Sequence, residues 1–178
     1  MLRLISYGLL ALLAYLPMAQ ANQITTSKTV ILVRHAEKAD KGRDPMLSHE
    51  GKLRAKALVE ALAGTPLSLA IATQFRRTQE TLTPLMAAKE IPLVVIDAGK
   101  EMDKHIAAIA DKVMAQDGNV IIAGHSNTVP LIIKALGGPE LPQLGESEYD
   151  KLFILSMPQE GATSLIKTQY GATSINTP

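Results

Sequence analysis

The chain has 178 residues, enough for one domain with a real core and short for two. Hydrophobic residues make up 47% and charged residues 20%, the balance of a globular chain, while 3% aromatics without Trp argue against a base-stacking surface. A net charge of +1 with no basic tract gives nucleic acid no electrostatic footing, and the absence of Cys excludes a thiol nucleophile, a disulfide framework and a cysteine zinc site.

Arg3 precedes an apolar run from Leu4 to Leu16, which Pro17 ends and Ala19-Gln20-Ala21 follows. This is the order of a secretory signal peptide, with cleavage expected after Ala21. The run is short for a bilayer span, which takes about 20 apolar residues. The expectation is a leader over 1–21 and one domain over 22–178, periplasmic or secreted, with no stable membrane anchor after cleavage. Removal of Arg3 leaves 17 basic and 17 acidic side chains.

Thr29 to Val33 reads as a strand buried on both faces, running directly into Arg34, His35, Glu37 and Lys38. Residues 34–47 carry charges and breakers and form a loop. Lys38, Lys41 and Arg43 within it read as a solvated cluster. Ser48 is a good N-cap for a helix over 49–63, with Leu53, Ala57, Leu58, Ala61 and Leu62 as its apolar positions. His49 and His105 read as helix-surface or cap residues. Leu67 to Ala72 is the second strand, and Thr73 to Thr81 turns into a helix reaching Lys89, with Pro84 awkward inside it. Leu93 to Ile96 is the third strand and 101–116 an amphipathic helix. Val120 to Ala123 is the fourth strand, followed by Gly124-His125-Ser126-Asn127 and a helix to Leu136. After a loop over 139–150, Lys151 to Met157 and Ala162 to Thr168 pair as a hairpin. Alternating strands and helices followed by two strands predict a three-layer α/β/α sandwich whose mainly parallel sheet has an antiparallel edge.

In such a sheet the C-terminal ends of the parallel strands share one edge, where ligands bind. Arg34 and His35 follow the first strand, Arg77 the second and His125 the fourth, the last two at helix starts. Guanidinium forks and free helix N–H groups favour phosphate oxygens. An imidazole among arginines is held neutral by cation repulsion and can act as the nucleophile of phosphoryl transfer. Arg76 reads as a solvated or rim charge, and the Met residues as core filler.

Leu32-Val33-Arg34-His35-Ala36-Glu37-Lys38 resembles the R-H-G/A signature of the histidine phosphatase superfamily, phosphoglycerate mutase-like branch. Three further segments are similar to that family's pattern and follow in its order: Leu47-Ser48 through Gly51 and Arg54-Ala55; Thr73 through Arg77-Thr78-Gln79-Glu80-Thr81; and Gly124-His125-Ser126-Asn127. The resemblance covers residues 29–170. It implies a phosphoglycerate mutase-like fold, His35 as nucleophile, a phosphate pocket of Arg34, Arg77 and His125, and neither metal nor cofactor. Ser126 and Asn127 are further phosphate-binding candidates. Ala36 stands where glycine is common, and Thr73 where serine is common. The insertion that carries the acid in mutases is absent. The proton donor is therefore open among Asp97 and Glu101, just after the third strand, and Glu37.

The leading functional expectation is a metal-independent phosphomonoester hydrolase working through phospho-His35 on a small-molecule or surface-glycan phosphate. The alternative is a phospho-ligand binding module with little or no turnover. A hydrolase using Ser126 as nucleophile is weakly supported, because Gly124-His125-Ser126-Asn127 lacks the second glycine of G-x-S-x-G. Oligomeric state and natural substrate are not written in the sequence.

Overall fold

The computed structural model describes residues 27–174. The expected leader over 1–21 lies outside the described residues. Among the described residues, no helix is long and apolar enough to cross a membrane.

The elements run β1 (Lys28–Arg34), α1 (His49–Ala61), β2 (Leu69–Ala72), α2 (Arg76–Lys89), β3 (Leu93–Val95), α3 (Met102–Met114), β4 (Val120–Gly124), α4 (Thr128–Ala135), β5 (Lys151–Met157) and β6 (Ser164–Gln169). They form one six-stranded sheet in the order β3-β2-β4-β1-β5-β6. The β3–β2, β2–β4 and β4–β1 pairs are parallel, and the β1–β5 and β5–β6 pairs antiparallel.

Alternation along the central strands builds two apolar layers. Val30 and Leu32 of β1 face one way with Ile71 and Ile122, against Ile106, Ile109 and Val113 of α3 and Val129, Ile132 and Ile133 of α4. Ile31 and Val33 face the other way with Ala70 and Ala123, against Leu58 of α1 and Leu82 and Leu85 of α2. The fold is therefore the expected three-layer sandwich.

The connection from β1 runs through α1 to β2, on one side of the sheet order, while that from β4 runs through α4 to β5, on the other. The loops leaving β1 and β4 diverge, and a crevice opens between two adjacent parallel strands at their carboxyl ends. His35 and His125 both lie there.

Two expectations need correction. Leu53 and Ala61 are exposed, and the buried face of α1 is Gly51, Arg54, Ala55, Leu58 and the capping Leu62. The apolar periodicity misled because an arginine occupies the core face. His105 is buried rather than at the surface: its Nδ1 lies 3.1 Å from the Asp97 carbonyl, a partner supplied by the loop before α3. The helix expected to reach Lys89 does so, with Pro84 inside it.

Candidate active site

The chain leaving β1 is fixed by backbone bonds before any side chain acts. The His35 N–H donates to the Gly124 carbonyl at 2.9 Å, tying the end of β1 to the end of β4. The Ala36 N–H donates to Thr81 Oγ1 of α2 at 2.9 Å. Ala36 is fully buried and packs with Leu47 and Ala55, so the alanine found where glycine is common fits a small apolar niche.

The segment from Leu47 to Ala55 supports that loop from below. Ser48 Oγ accepts from the Gly51 N–H and caps α1. A Cβ on Gly51 would stand 2.3 Å from the Glu37 carbonyl oxygen, so only glycine lets α1 approach this closely. One turn later, Arg54 grips Glu37 with Nε bonds of 2.9 and 3.0 Å and an Nη2 bond of 2.7 Å, while its Nη1 donates to the Tyr170 carbonyl. Glu37, an acid candidate from sequence, is thus committed to holding the loop after His35 against α1.

His35 is buried, and its Nδ1 lies 2.8 Å from its neighbour's carbonyl, Ala36 O. A carbonyl only accepts, so Nδ1 carries the proton and Nε2 keeps its lone pair. Burial, His125, Arg34 and Arg77 together outweigh the Ala36 bond and lower the His35 pKa to about 3. The ring is therefore neutral near pH 7, with one nucleophilic nitrogen.

The His125 ring lies 5.4 Å from that of His35, edge to face. Arg77 Nη2 approaches His125 Nδ1 at 3.4 Å, and His125 Nε2 lies 3.2 Å from Thr73 Oγ1. Because guanidinium only donates, Nδ1 is the acceptor and Nε2 the donor in this arrangement. Burial, then Arg77, lowers the His125 pKa to about 4. The His125 N–H is taken by Thr128 Oγ1 at 2.9 Å. Gly124 is what permits the contact, since a Cβ there would stand 2.9 Å from the same oxygen.

Arg77 stacks on Phe75 at 4.3 Å and has Asp44 at 3.9 Å. Arg34 donates through Nη1 to the carbonyls of Gly145 and Glu146, the latter at 2.9 Å, and lies over the Tyr149 ring at 4.2 Å. The Nε–H groups of both arginines are buried and make no hydrogen bond among the described residues. Two donors in a low-dielectric crevice, flanked by neutral imidazoles, suit an anion that can accept from both.

The structure brings together Arg34, His35, Arg77 and His125. Ser126 is half-buried at the rim, where its carbonyl accepts from the Leu144 N–H, and Asn127 is exposed. Asp97 is exposed, and Glu101 pairs with Lys104 at 2.8 Å. Neither carboxylate hydrogen-bonds or ion-pairs with the four clustered residues. The carboxylates that do are Asp44, on Arg77, and Glu146, 3.5 Å from Arg34. Sequence reasoning passed over both, and also Tyr149, whose ring is 6.0 Å from that of His35. A tyrosine in a loop, in a chain with only four, was the available signal. Among the described residues, no three His, Asp or Glu side chains are grouped to hold a metal ion.

Residues 30–106 match the family model of the histidine phosphatase superfamily (branch 1). No curated protein matches the sequence. Among solved structures, the chain is similar to a mycobacterial glucosyl-3-phosphoglycerate phosphatase (TM-score 0.62, 15% identity, covering 83% of this chain and 100% of that one). It is also similar to the protein histidine phosphatase SixA complexed with tungstate (TM-score 0.63, 14% identity, 79% and 96% covered) and to mycobacterial hydrolase 2 (TM-score 0.62, 16% identity, 85% and 93% covered). At these identities the structures share the fold.

Proposed function

From the match of residues 30–106 to the histidine phosphatase superfamily (branch 1) model, we propose that the chain is a member of that superfamily and a phosphomonoesterase that works through phospho-His35. The single observation carrying this reading is a neutral, buried His35 with its proton on Nδ1 and its lone pair on Nε2, beside two arginines with unpartnered Nε–H groups. Nε2 attacks phosphorus and the ester P–O bond breaks. The leaving oxygen takes a proton. Water then attacks phosphorus, the N–P bond breaks, and inorganic phosphate departs. Arg34 and Arg77 stabilise charge on the equatorial oxygens throughout, and His125 joins them when its Nε2–H turns from Thr73 Oγ1 to a bound phosphate oxygen. No step in this scheme requires a metal.

The proton donor belongs at the rim. Asp44, beside Arg77, supports a donor on the 37–47 loop. Asp97 and Glu101 lack such a contact, and Glu37 is occupied by Arg54.

The substrate side of the proposal is a small-molecule or surface-glycan phosphate met outside the cytoplasm, supported by the leader-like order of residues 1–21. That one related structure is of a glucosyl-3-phosphoglycerate phosphatase and another of a protein histidine phosphatase leaves both classes for the panel. The test is phosphate release from aryl, sugar and phosphohistidine-protein substrates in EDTA, with the intact mass of the exported chain. Release from an aryl or sugar phosphate and a chain beginning at Asn22 are expected. Ligand binding with no release from any substrate would replace the enzyme by a binding module, and retention of Met1 would refute the leader.

A further inference from the structure

The loop that holds Arg34 is short of support from regular structure. Residues 138–150 contain no helix or strand. Yet this loop supplies the Gly145 and Glu146 carbonyls to Arg34 Nη1 and the Tyr149 ring under the same guanidinium. Its far end is fastened by a segment some 25 residues downstream. Ser174 Oγ accepts from two consecutive N–H groups, those of Tyr149 at 2.9 Å and Asp150 at 3.0 Å. The Ser174 N–H donates back to Asp150 Oδ2 at 3.1 Å, and Gln169 Nε2 donates to the same oxygen at 2.8 Å. The Asp150 side chain is 1% exposed. The Tyr170 N–H donates to the Asp150 carbonyl at 3.0 Å.

We propose that Ser174 is a positioning residue for the phosphate site, setting Arg34 through Tyr149 and Asp150 without touching substrate. The proposal rests on the phosphate-site reading above. Its physical content is directional. Arg34 needs its Nε–H aimed at an anion oxygen while both Nη1 contacts are made by one loop. A loop free to shift by a fraction of an ångström carries the guanidinium with it. One hydroxyl accepting from two backbone donors is a compact way to remove that freedom, and alanine at 174 takes the partner from the Asp150 N–H and leaves the Tyr149 N–H only the Ser147 carbonyl, at 3.1 Å.

Four measurements test this on the full-length protein: vanadate affinity, kcat and KM on an aryl phosphate, thermal stability, and the ¹⁵N-detected Arg34 Nε–H resonance without ligand. Ser174→Ala is expected to weaken vanadate binding and raise KM about tenfold, as loss of a well-made hydrogen bond implies. kcat changes less, and the Arg34 resonance shifts or broadens. Ser174→Thr, which keeps the hydroxyl, restores all of them. Gln169→Leu, on the exposed edge strand, removes one donor from Asp150 and moves the same constants in the same direction by a smaller factor, so the test survives if Ser174→Ala does not fold. Wild-type vanadate affinity, KM and Arg34 resonance in variants that have merely lost stability would overturn the positioning role. Vanadate binding by the wild type without turnover would refute the phosphatase reading alone, because the clasp is judged on the ratio of variant to wild type. A wild type that binds no vanadate would refute the phosphate site, and an Arg34 resonance unmoved in the ligand-free variants would then refute the clasp.

Discussion

Replacing Arg54 by Met keeps the aliphatic packing of α1 and removes the three Arg54 hydrogen bonds to the Glu37 carboxylate. The pair it breaks is bidentate, with a side chain 4% exposed on the arginine and 22% on the glutamate. Breaking a fully buried pair costs about 3–5 kcal/mol because one charge is left without a partner. Glu37 retains some solvent, which lowers that figure. The Tyr170 carbonyl loses its donor as well, which adds back roughly 1 kcal/mol. A net loss of about 3 kcal/mol follows, which for a chain of this size lowers Tm by roughly 6–12 °C. Urea and thermal unfolding followed by circular dichroism measure it, since the chain has no Trp to report by fluorescence. The double variant Arg54→Met, Glu37→Gln removes the stranded carboxylate and should recover more than half of the loss, giving a clearly non-additive cycle. A single variant within about 0.5 kcal/mol of wild type, or a double variant losing the sum of the singles, would refute the reasoning.

The remaining predictions concern pH and close packing. The folded pKa values of His35 and His125, about 3 and about 4, lie below the ordinary histidine value of 6.5. The unfolded chain therefore binds more protons in between. The stability that goes with two neutral buried imidazoles is fully present above pH 6.5 and is lost as pH falls toward 4 and then 3, at up to about 1.4 kcal/mol per pH unit for each ring. Urea midpoints at pH 7.5, 6 and 5 should decline, and should decline less steeply in His35→Asn; a flat profile would contradict the burial of these rings as neutral species. Gly51→Ala puts a Cβ against the Glu37 carbonyl and should cost about 1–3 kcal/mol while lowering kcat, because the loop carrying His35 must shift. Wild-type kcat in that variant would show that α1 does not set the loop.

The sheet and its loaded edge were legible because they rest on local signals. Val30 to Val33 is apolar at every position, which suits a strand covered on both faces, and polar residues begin where the strand ends. Parallel topology then brings strand ends together, which is why His35 and His125 could be assigned to one place. What escaped was decided by contacts distant in sequence. Arg54 occupies the core face of α1 because Glu37 waits for it, and no periodicity within α1 reports that partner. His105 is buried because the Asp97 carbonyl bends back to it. Tyr149 reaches His35 because Ser174 fastens its loop, and Asp44 reaches Arg77 across a loop with no regular structure. Asp97 and Glu101 follow β3 in the chain, but the Asp97 side chain is exposed and that of Glu101 pairs with Lys104.

The central claim is that His35 Nε2 becomes covalently bonded to phosphorus. It is tested most directly by quenching the protein with a labelled aryl phosphate during turnover and mapping the acid-labile, base-stable label. The account predicts label on the peptide carrying His35, bonded at Nε2, and none in His35→Asn. Label on any other residue, or full phosphate release by His35→Asn, would contradict it.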